Sequence, residues 1–204
     1  MAYLILIRHG QSEWNEKGLW TGWNDIGLND QGRLEAQTAA EKIEDIKIDK
    51  AYTSDLKRAQ QTLHEIVTKL KIRKLPTIIA PELKERNYGD LAGKNKWEVK
   101  EQYGEEQFMK WRRSWDYPIP NGESLKDVYH RVIPYYEKHI LPELKKGKNI
   151  LIAAHGNSLR ALVKELDNIT DEEIPKLEIG TGEVYVYQID EKGNVIFKEI
   201  RAVN

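Results

Sequence analysis

Two histidines of this chain occur in the same local context. Arg8-His9-Gly10 follows the apolar run 4–7, and His155-Gly156 follows the apolar run 150–154. In open parallel sheets ligands bind beyond the carboxyl ends of the strands, so both imidazoles are predicted to lie at one binding edge. A lone histidine is more often a core or surface residue, but the matched pair favours a shared chemical role.

The residue types around this pair favour phosphoryl transfer. An imidazole with a pKa of about 6.5 is substantially neutral at cellular pH, so a ring nitrogen of His9 can attack phosphorus. A protonated His155 would stabilise charge on the transferring group. Arg8 and Arg58 are predicted phosphate ligands, because a guanidinium group binds oxygens bidentately and stays charged.

A metal is not predicted. The chain has no cysteine, which excludes disulfides, thiolate-ligated clusters and a thiol nucleophile. The other three histidines, His64, His130 and His139, lack the spacing of a zinc site and are predicted to be ordinary helix residues.

Short apolar runs alternate with amphipathic stretches, which predicts an α/β fold with a mostly parallel sheet flanked by helices. Residues 3–7 and 149–154 are predicted strands, and residues 184–189 and 195–200 form a predicted C-terminal hairpin. The predicted helices include the apolar stripes 36–43, 59–70 capped by Ser54, 125–136 kinked at Pro134, and 159–166. No repeat or linker is visible, so residues 1–204 are predicted to form one domain.

Net charge and hydropathy limit the classes of partner that the chain is expected to bind. The 204 residues carry a net charge of −1, which gives no general attraction to nucleic acid or to an anionic membrane. The apolar start is too short for a signal peptide, and no run approaches the roughly 20 apolar residues of a membrane span, so a cytoplasmic location is expected. The sequence leaves a monomer and a homodimer both open.

Several blocks make the sequence similar to the histidine phosphatase superfamily and, within it, to the bisphosphoglycerate-dependent phosphoglycerate mutases. These blocks are Arg8-His9-Gly10, Thr21-Gly22-Trp23, residues 84–89 with 93–96, Trp111-Arg112-Arg113-Ser114 and residues 154–162. The resemblance runs from Leu4 to about Asn168. It implies a three-layer fold and glycolytic or gluconeogenic interconversion of 2- and 3-phosphoglycerate, primed by 2,3-bisphosphoglycerate.

The resemblance also implies roles for matching residues. His9 would carry the phosphoryl group, and Glu85 would be the acid/base for the substrate hydroxyl, which calls for a pKa raised towards neutrality. Residues expected to hold the transferring group are Arg8, Arg58, His155, Asn15 and the Gly156 backbone. Residues expected to contact the remainder of the small-molecule phosphoglycerate are Ser12, Thr21, Gly22, Arg86, Tyr88, Lys96, Arg112, Arg113 and Asn157.

Two alternatives accompany this interpretation. A histidine phosphatase acting on a small phosphomonoester would share His9, Arg8, Arg58 and His155 but would not need the additional cations. A noncatalytic phospho-ligand binding module would be expected to lose a nucleophile or an acid. The connection 116–122 is shorter than in longer family members, from which some hydrolysis of bisphosphoglycerate is expected as a side activity.

Overall fold

Six strands form one mixed sheet in the order β3-β2-β4-β1-β5-β6. The computed structural model describes residues 1–201. The first four strands in that order are parallel, β5 runs antiparallel to β1, and β6 runs antiparallel to β5. The strands are β1 (Ala2–Arg8), β2 (Lys50–Thr53), β3 (Thr77–Ile79), β4 (Ile150–Ala154), β5 (Val184–Ile189) and β6 (Val195–Arg201). The mostly parallel sheet and the C-terminal hairpin are confirmed.

The central strands are apolar on both faces, because helices cover both. Leu4 and Leu6 of β1 belong to the larger core cluster, whereas Ile5 and Ile7 belong to a second cluster on the opposite face. The first cluster includes residues of α5 and α7, and the second includes residues of α2 and α3. This alternation is the period of two that a pleated strand imposes, and it produces the three layers expected.

The helices follow the predicted apolar stripes. They are α1 (Glu13–Glu16), α2 (Asp30–Glu41), α3 (Lys57–Lys69), α4 (Lys96–Arg113), α5 (Leu125–Tyr135), α6 (Leu141–Lys145) and α7 (Gly156–Asp167). Short 3₁₀ turns span Pro81–Leu83, Gly89–Leu91 and Ile174–Lys176. After Pro134 the α5 helix passes into a π turn at Tyr136–Ile140, as expected where proline removes a backbone donor.

The prediction that Ser54 caps α3 is wrong. The N-cap of α3 is Leu56, whose side chain caps nothing. The Ser54 hydroxyl instead accepts a hydrogen bond from the Leu56 N–H at 3.2 Å and contacts His155. Serine is a favoured N-cap residue, which is the reason for the prediction, but the Ser54 side chain contacts His155 instead of capping the helix.

A third, smaller core joins the segment between β3 and β4 to the loop after β1. Trp20, Phe108 and Trp111 pack together with Leu91, Val99 and Ile119. This cluster fixes α4 against the loop after β1, so the arginines at the end of α4 gain a defined position.

Within residues 1–201, each helix is too short or too polar to cross a bilayer.

The loop that follows β1 touches the start of α2 directly. A Cβ added at Gly10 would lie 2.0 Å from the Gly32 carbonyl oxygen, and one added at Gly32 would lie 2.0 Å from the Gln11 carbonyl oxygen. Only two glycines allow this backbone contact, which holds the residue after His9 against α2.

We therefore expect Gly32→Ala to destabilise the protein by about 1–3 kcal/mol, the usual range for overpacking. Helix propensity alone predicts the opposite sign, since alanine is favoured over glycine inside a helix. Urea unfolding would measure the change, with Gln31→Ala on the exposed neighbouring position as the control. A Gly32→Ala protein as stable as the wild type would show that the loop can move away from α2.

Candidate active site

The imidazole of His9 is held in one tautomer at the end of β1. Its Nδ1 lies 2.7 Å from the Gly10 carbonyl oxygen, which can only accept, so Nδ1 carries the proton and Nε2 carries the lone pair. The His9 N–H donates to the Ala154 carbonyl at 2.9 Å, which ties the loop to the end of β4. The ring is buried, with 2% of its surface exposed. The arrangement presents Nε2 as a nucleophile.

His155 faces His9 from the end of β4. The ring centroids are 5.0 Å apart, and the rings meet edge to face. The parallel pairing of β1 with β4, in which Arg8 is opposite Ala154, brings the two His-Gly segments together. His155 Nε2 lies 2.7 Å from the Ser54 hydroxyl oxygen, and its buried Nδ1 has no hydrogen-bond partner among residues 1–201. His155 is fully buried and is not among the residues that line the two pockets described below.

Both imidazoles are neutral at neutral pH. Burial, and then the positive charges of Arg58 and Arg8, hold the pKa of His9 well below its ordinary value of 6.5. Burial and the charge of Arg58 likewise hold the pKa of His155 well below 6.5. A neutral His9 suits a nucleophile, and a neutral His155 does not supply the positive charge that a protonated ring would bring.

Arg58 and Arg8 flank the His9 ring with different anchors. Arg58 Nε donates to His9 Nε2 at 3.3 Å, while its terminal nitrogens donate to the carbonyls of Gly22 and Asn24 at 2.7 and 2.9 Å. Burial lowers the pKa of Arg58 to about 10, so it stays charged. Arg8 Nη1 donates to the Ile179 carbonyl at 2.5 Å. Two cations thus stand beside the predicted nucleophile, close enough to bind the oxygens of a phosphoryl group.

Glu85 is a buried carboxylate with three donors on one oxygen. Its Oε1 accepts from the Arg86 N–H at 2.7 Å, the Asn157 N–H at 3.1 Å and the Asn157 side chain at 2.9 Å. Burial alone would raise the pKa of Glu85, but these hydrogen bonds and the charges of Arg8 and Arg58 hold it below its ordinary value. The sequence alone does not establish the direction of this pKa, because the direction depends on burial and on hydrogen-bond donors. Glu85 is ionised, and Oε2 faces the side of the Gly156 backbone.

Two adjoining pockets open above these residues. The inner pocket, of about 60 Å³, is lined by Arg8, His9, Asn15, Leu19, Thr21, Gly22, Arg58, Glu85, Tyr88 and Lys96. The outer pocket, of about 230 Å³, shares four of these residues. Its further lining residues are Trp20, Arg112, Arg113, Gly156, Asn157, Arg160, Glu178, Ile179 and Gly180. The inner pocket has room for little more than a phosphoryl group, and the outer pocket has room for the rest of a small molecule.

The outer pocket is rich in cations. Lys96 begins α4 and lines both pockets, and burial together with the charge of Arg112 lowers its pKa to about 8. Arg112 and Arg113 end α4 and also line the outer pocket. A second anionic group can therefore bind several ångströms from His9.

Two residues with predicted substrate contacts lie behind the pocket walls. The Ser12 side chain is buried, caps α1 and donates to Asn15 Oδ1 at 2.9 Å. The buried Arg86 guanidinium donates to the carbonyls of Trp111 and Arg112 at 2.8 and 3.3 Å, and so holds the end of α4. Neither residue is among those that line the two pockets.

Sequence reasoning missed several residues of the site. Arg160 is buried, donates to Asn157 Oδ1 at 3.0 Å and also lines the outer pocket. Its position three residues after Asn157 on α7 was a usable signal, since such positions share a helix face. Burial lowers the pKa of Arg160 to about 9. Thr62, which accepts from the Gly10 N–H at 3.1 Å, and the segment 178–180 had no local signal.

Within residues 1–201 no group of three or more histidine, cysteine, aspartate or glutamate side chains is placed to hold a metal ion. The chemistry available from the side chains present is therefore nucleophilic attack, proton transfer by a carboxylate, and stabilisation of anions by guanidinium groups.

The sequence matches the model of the histidine phosphatase superfamily (branch 1) over residues 4–199. A Parvibaculum lavamentivorans protein named 2,3-bisphosphoglycerate-dependent phosphoglycerate mutase is 51% identical over 199 residues, which cover 97% of this chain and 95% of that protein. A Brucella anthropi protein of the same name is 50% identical, with 97% of each chain covered.

Solved structures share the fold. An alpha-ribazole phosphatase from Shigella flexneri superposes with a TM-score of 0.80 at 29% identity, covering 99% of this chain and 96% of that one. A mycobacterial glucosyl-3-phosphoglycerate phosphatase bound to VO3 gives a TM-score of 0.84 at 23% identity, covering 100% and 99%. The second similarity concerns the fold alone.

The depressed histidine pKa values predict a stability that depends on pH. Below pH of about 6.5 the unfolded chain protonates both rings and the folded protein does not, so the free energy of unfolding falls as the pH falls. We expect a slope of up to about 1.4 kcal/mol per pH unit for each ring between pH of about 6.5 and 5. Carboxylates do not account for this window, because their ordinary pKa values lie lower.

Urea unfolding across this range, in a buffer without phosphate, would measure the slope. His155→Asn should reduce the slope, whereas His64→Asn, at an exposed position on α3, should keep it. A wild-type slope near zero would mean that the folded protein protonates these rings readily.

Proposed function

Because the chain belongs to the histidine phosphatase superfamily and, within it, to the 2,3-bisphosphoglycerate-dependent phosphoglycerate mutases, we propose that it interconverts 2-phosphoglycerate and 3-phosphoglycerate. The reaction is an isomerisation of glycolysis and gluconeogenesis that passes through a phosphohistidine at His9. One observation carries the proposal: the Nε2 atom of His9 lies among guanidinium groups in a small pocket that opens into a second cationic pocket.

The two pockets suit the proposed primer, 2,3-bisphosphoglycerate. This molecule carries two phosphates and a carboxylate, and the buried Nδ1 of His155 and Nε of Arg8 lack partners among residues 1–201. Such buried polar atoms are costly unless a ligand satisfies them. Arg8 and Arg58 would hold the phosphate beside His9, and Lys96, Arg112 and Arg113 would hold the distal groups. When bound, the primer supplies the phosphoryl group that His9 carries.

His9 performs the covalent step. Its Nε2 lone pair forms the bond to phosphorus as the ester oxygen leaves, and the Nδ1–H bond to Gly10 stabilises the positive charge that develops on the ring. Arg8 and Arg58 neutralise the oxygens of the transferring group, and the Gly156 backbone at the start of α7 lines the adjoining outer pocket.

Glu85 accepts and returns the proton of the substrate hydroxyl. When the substrate hydroxyl attacks phospho-His9, the ionised Glu85 accepts its proton as the oxygen–phosphorus bond forms and the nitrogen–phosphorus bond breaks. When His9 then takes the other phosphoryl group, Glu85 returns the proton to the departing oxygen. The negative charge of bound phosphates offsets the positive charge of the arginines and so raises the pKa of the Glu85 carboxyl. Glu85 can therefore both accept the proton and return it.

Neither alternative is favoured. A phosphatase for a simple monoester would use the inner pocket but would have no need of Lys96, Arg112 and Arg113. A noncatalytic binding module would not be expected to keep both His9 and Glu85. We retain as proposals a single catalytic domain spanning 1–204, a cytoplasmic location, and no nucleic-acid or membrane partner.

His9→Ala should abolish isomerisation of 3-phosphoglycerate, with kcat lower by roughly 10⁴-fold or more, because the covalent carrier is lost. Phosphorus NMR would follow the conversion with and without 2,3-bisphosphoglycerate, and phosphate release would report the expected hydrolysis. His130→Ala, at an exposed position on α5, is the matched control. Turnover by His9→Ala, or failure of the wild type to gain acid-labile phosphate from the primer, would reject the covalent route.

Glu85→Gln should lower mutase kcat by about 10²–10⁴-fold, the usual contribution of a general acid/base. The change keeps the side-chain size and one acceptor oxygen but removes the negative charge and the ability to exchange a proton. Hydrolysis of p-nitrophenyl phosphate should fall much less, because its phenolate departs without a proton. Glu98→Gln, an exposed charge change on α4, should leave both rates alone, and equal losses on the two substrates would refute the proton-transfer role.

A further inference from the structure

One carboxylate of the outer pocket lies among its cations without being fixed in place. Glu178 pairs with Arg113, and its Oε1 lies 3.8 Å from Arg112 Nη2. The other carboxylate in the lining, Glu85, is buried and accepts three hydrogen bonds on one oxygen. The Glu178 side chain is 63% exposed, so solvent can replace its contacts. Its side chain is free to leave.

The backbone that carries Glu178 is anchored independently of that carboxylate. The Ile179 carbonyl accepts from Arg8 at 2.5 Å, and the Gly182 N–H donates to the Arg8 carbonyl at 3.1 Å. The Ile179 side chain is buried. The segment 178–182 is therefore held by β1, and a rotation of the Glu178 side chain requires no movement of the pocket wall.

The carboxylate lies where an anionic group of a ligand would bind. Arg112 and Arg113 are two of the cations that line the outer pocket, and Glu178 partly neutralises both. A ligand that fills only the inner pocket leaves these pairs intact. A ligand with a second anionic group must displace the Glu178 carboxylate from Arg112 and Arg113 before that group can bind them.

We propose that Glu178 is a specificity-determining residue that competes, within the protein itself, with the distal anionic group of the substrate. The inference rests on the proposed function, because it takes the distal group to be the carboxylate or second phosphate of a phosphoglycerate. Glu178 weakens the binding of ligands with two anionic ends and leaves the binding of a lone phosphoryl mimic unchanged. It thereby limits occupancy by phosphoglycerates when their concentration is low and keeps product release easy.

Calorimetric titration of wild type and Glu178→Gln with 3-phosphoglycerate and with orthovanadate tests this. Exposed ion pairs shift equilibria by about 1.5- to 5-fold, so the dissociation constant for 3-phosphoglycerate should fall by about 2- to 5-fold in the variant. The constant for orthovanadate, which occupies the inner pocket, should not change. Glu172→Gln removes an equal charge from an exposed position on the preceding turn and should change neither constant.

Three results would overturn the inference. Equal tightening for both ligands would mean that Glu178 acts through the general field of the site. Unchanged affinity for 3-phosphoglycerate would mean that the ion pairs do not compete with it. Weaker binding would mean that Glu178 holds the arginines in position for the substrate. Because the measurement is of binding, a wild type that binds 3-phosphoglycerate but does not isomerise it would reject the proposed function alone.

Discussion

The hydrogen bond from His9 Nδ1 to the Gly10 carbonyl is the constraint on which the chemistry depends. It keeps the lone pair on Nε2, and burial among guanidinium groups keeps the ring neutral. A solvated imidazole would be partly protonated and free to present either nitrogen. The contact requires the loop after β1 to turn immediately at Gly10, where a side chain would strike the Gly32 carbonyl. The close backbone contact with α2 is thus part of the nucleophile's geometry.

Sheet topology accounts for the part of the site that the sequence predicted well. Adjacent parallel strands end at one edge, so two His-Gly segments after two buried strands had to meet there. The shared edge follows from strand patterns and strand ends, which are local features. The same holds for the amphipathic helices and for the hairpin of β5 and β6. The 5.0 Å separation of the two rings also depends on the pairing of β1 with β4, which is a contact distant in sequence.

Features set by contacts distant in sequence could not be derived in the same way. Serine is a common N-cap residue, and only the fold shows that the Ser54 hydroxyl faces His155. The direction of the Glu85 pKa depends on donors from Arg86 and Asn157, and the second is 72 residues away. Burial was foreseeable as a cause, but the hydrogen bonds that outweigh it were not. Likewise, nothing local to Glu178 indicates that it lies against the end of α4.

The buried arginines show how the site remains cationic. Arg58 donates to the carbonyls of Gly22 and Asn24, Arg86 donates through Nη2 to those at the end of α4, and Arg160 donates to the Ile174 carbonyl and the Asn157 side chain. Arg86 Nε and Nη1 and Arg160 Nε have no partner among residues 1–201. Backbone carbonyls accept hydrogen bonds from the guanidinium groups without cancelling the positive charge of the arginines, whereas a buried carboxylate partner would neutralise that charge. Positive charge therefore remains for phosphate oxygens. In the proposed reaction the fixed carboxylate, Glu85, transfers the proton, and Oε2 is the oxygen that accepts none of the three hydrogen bonds to Oε1.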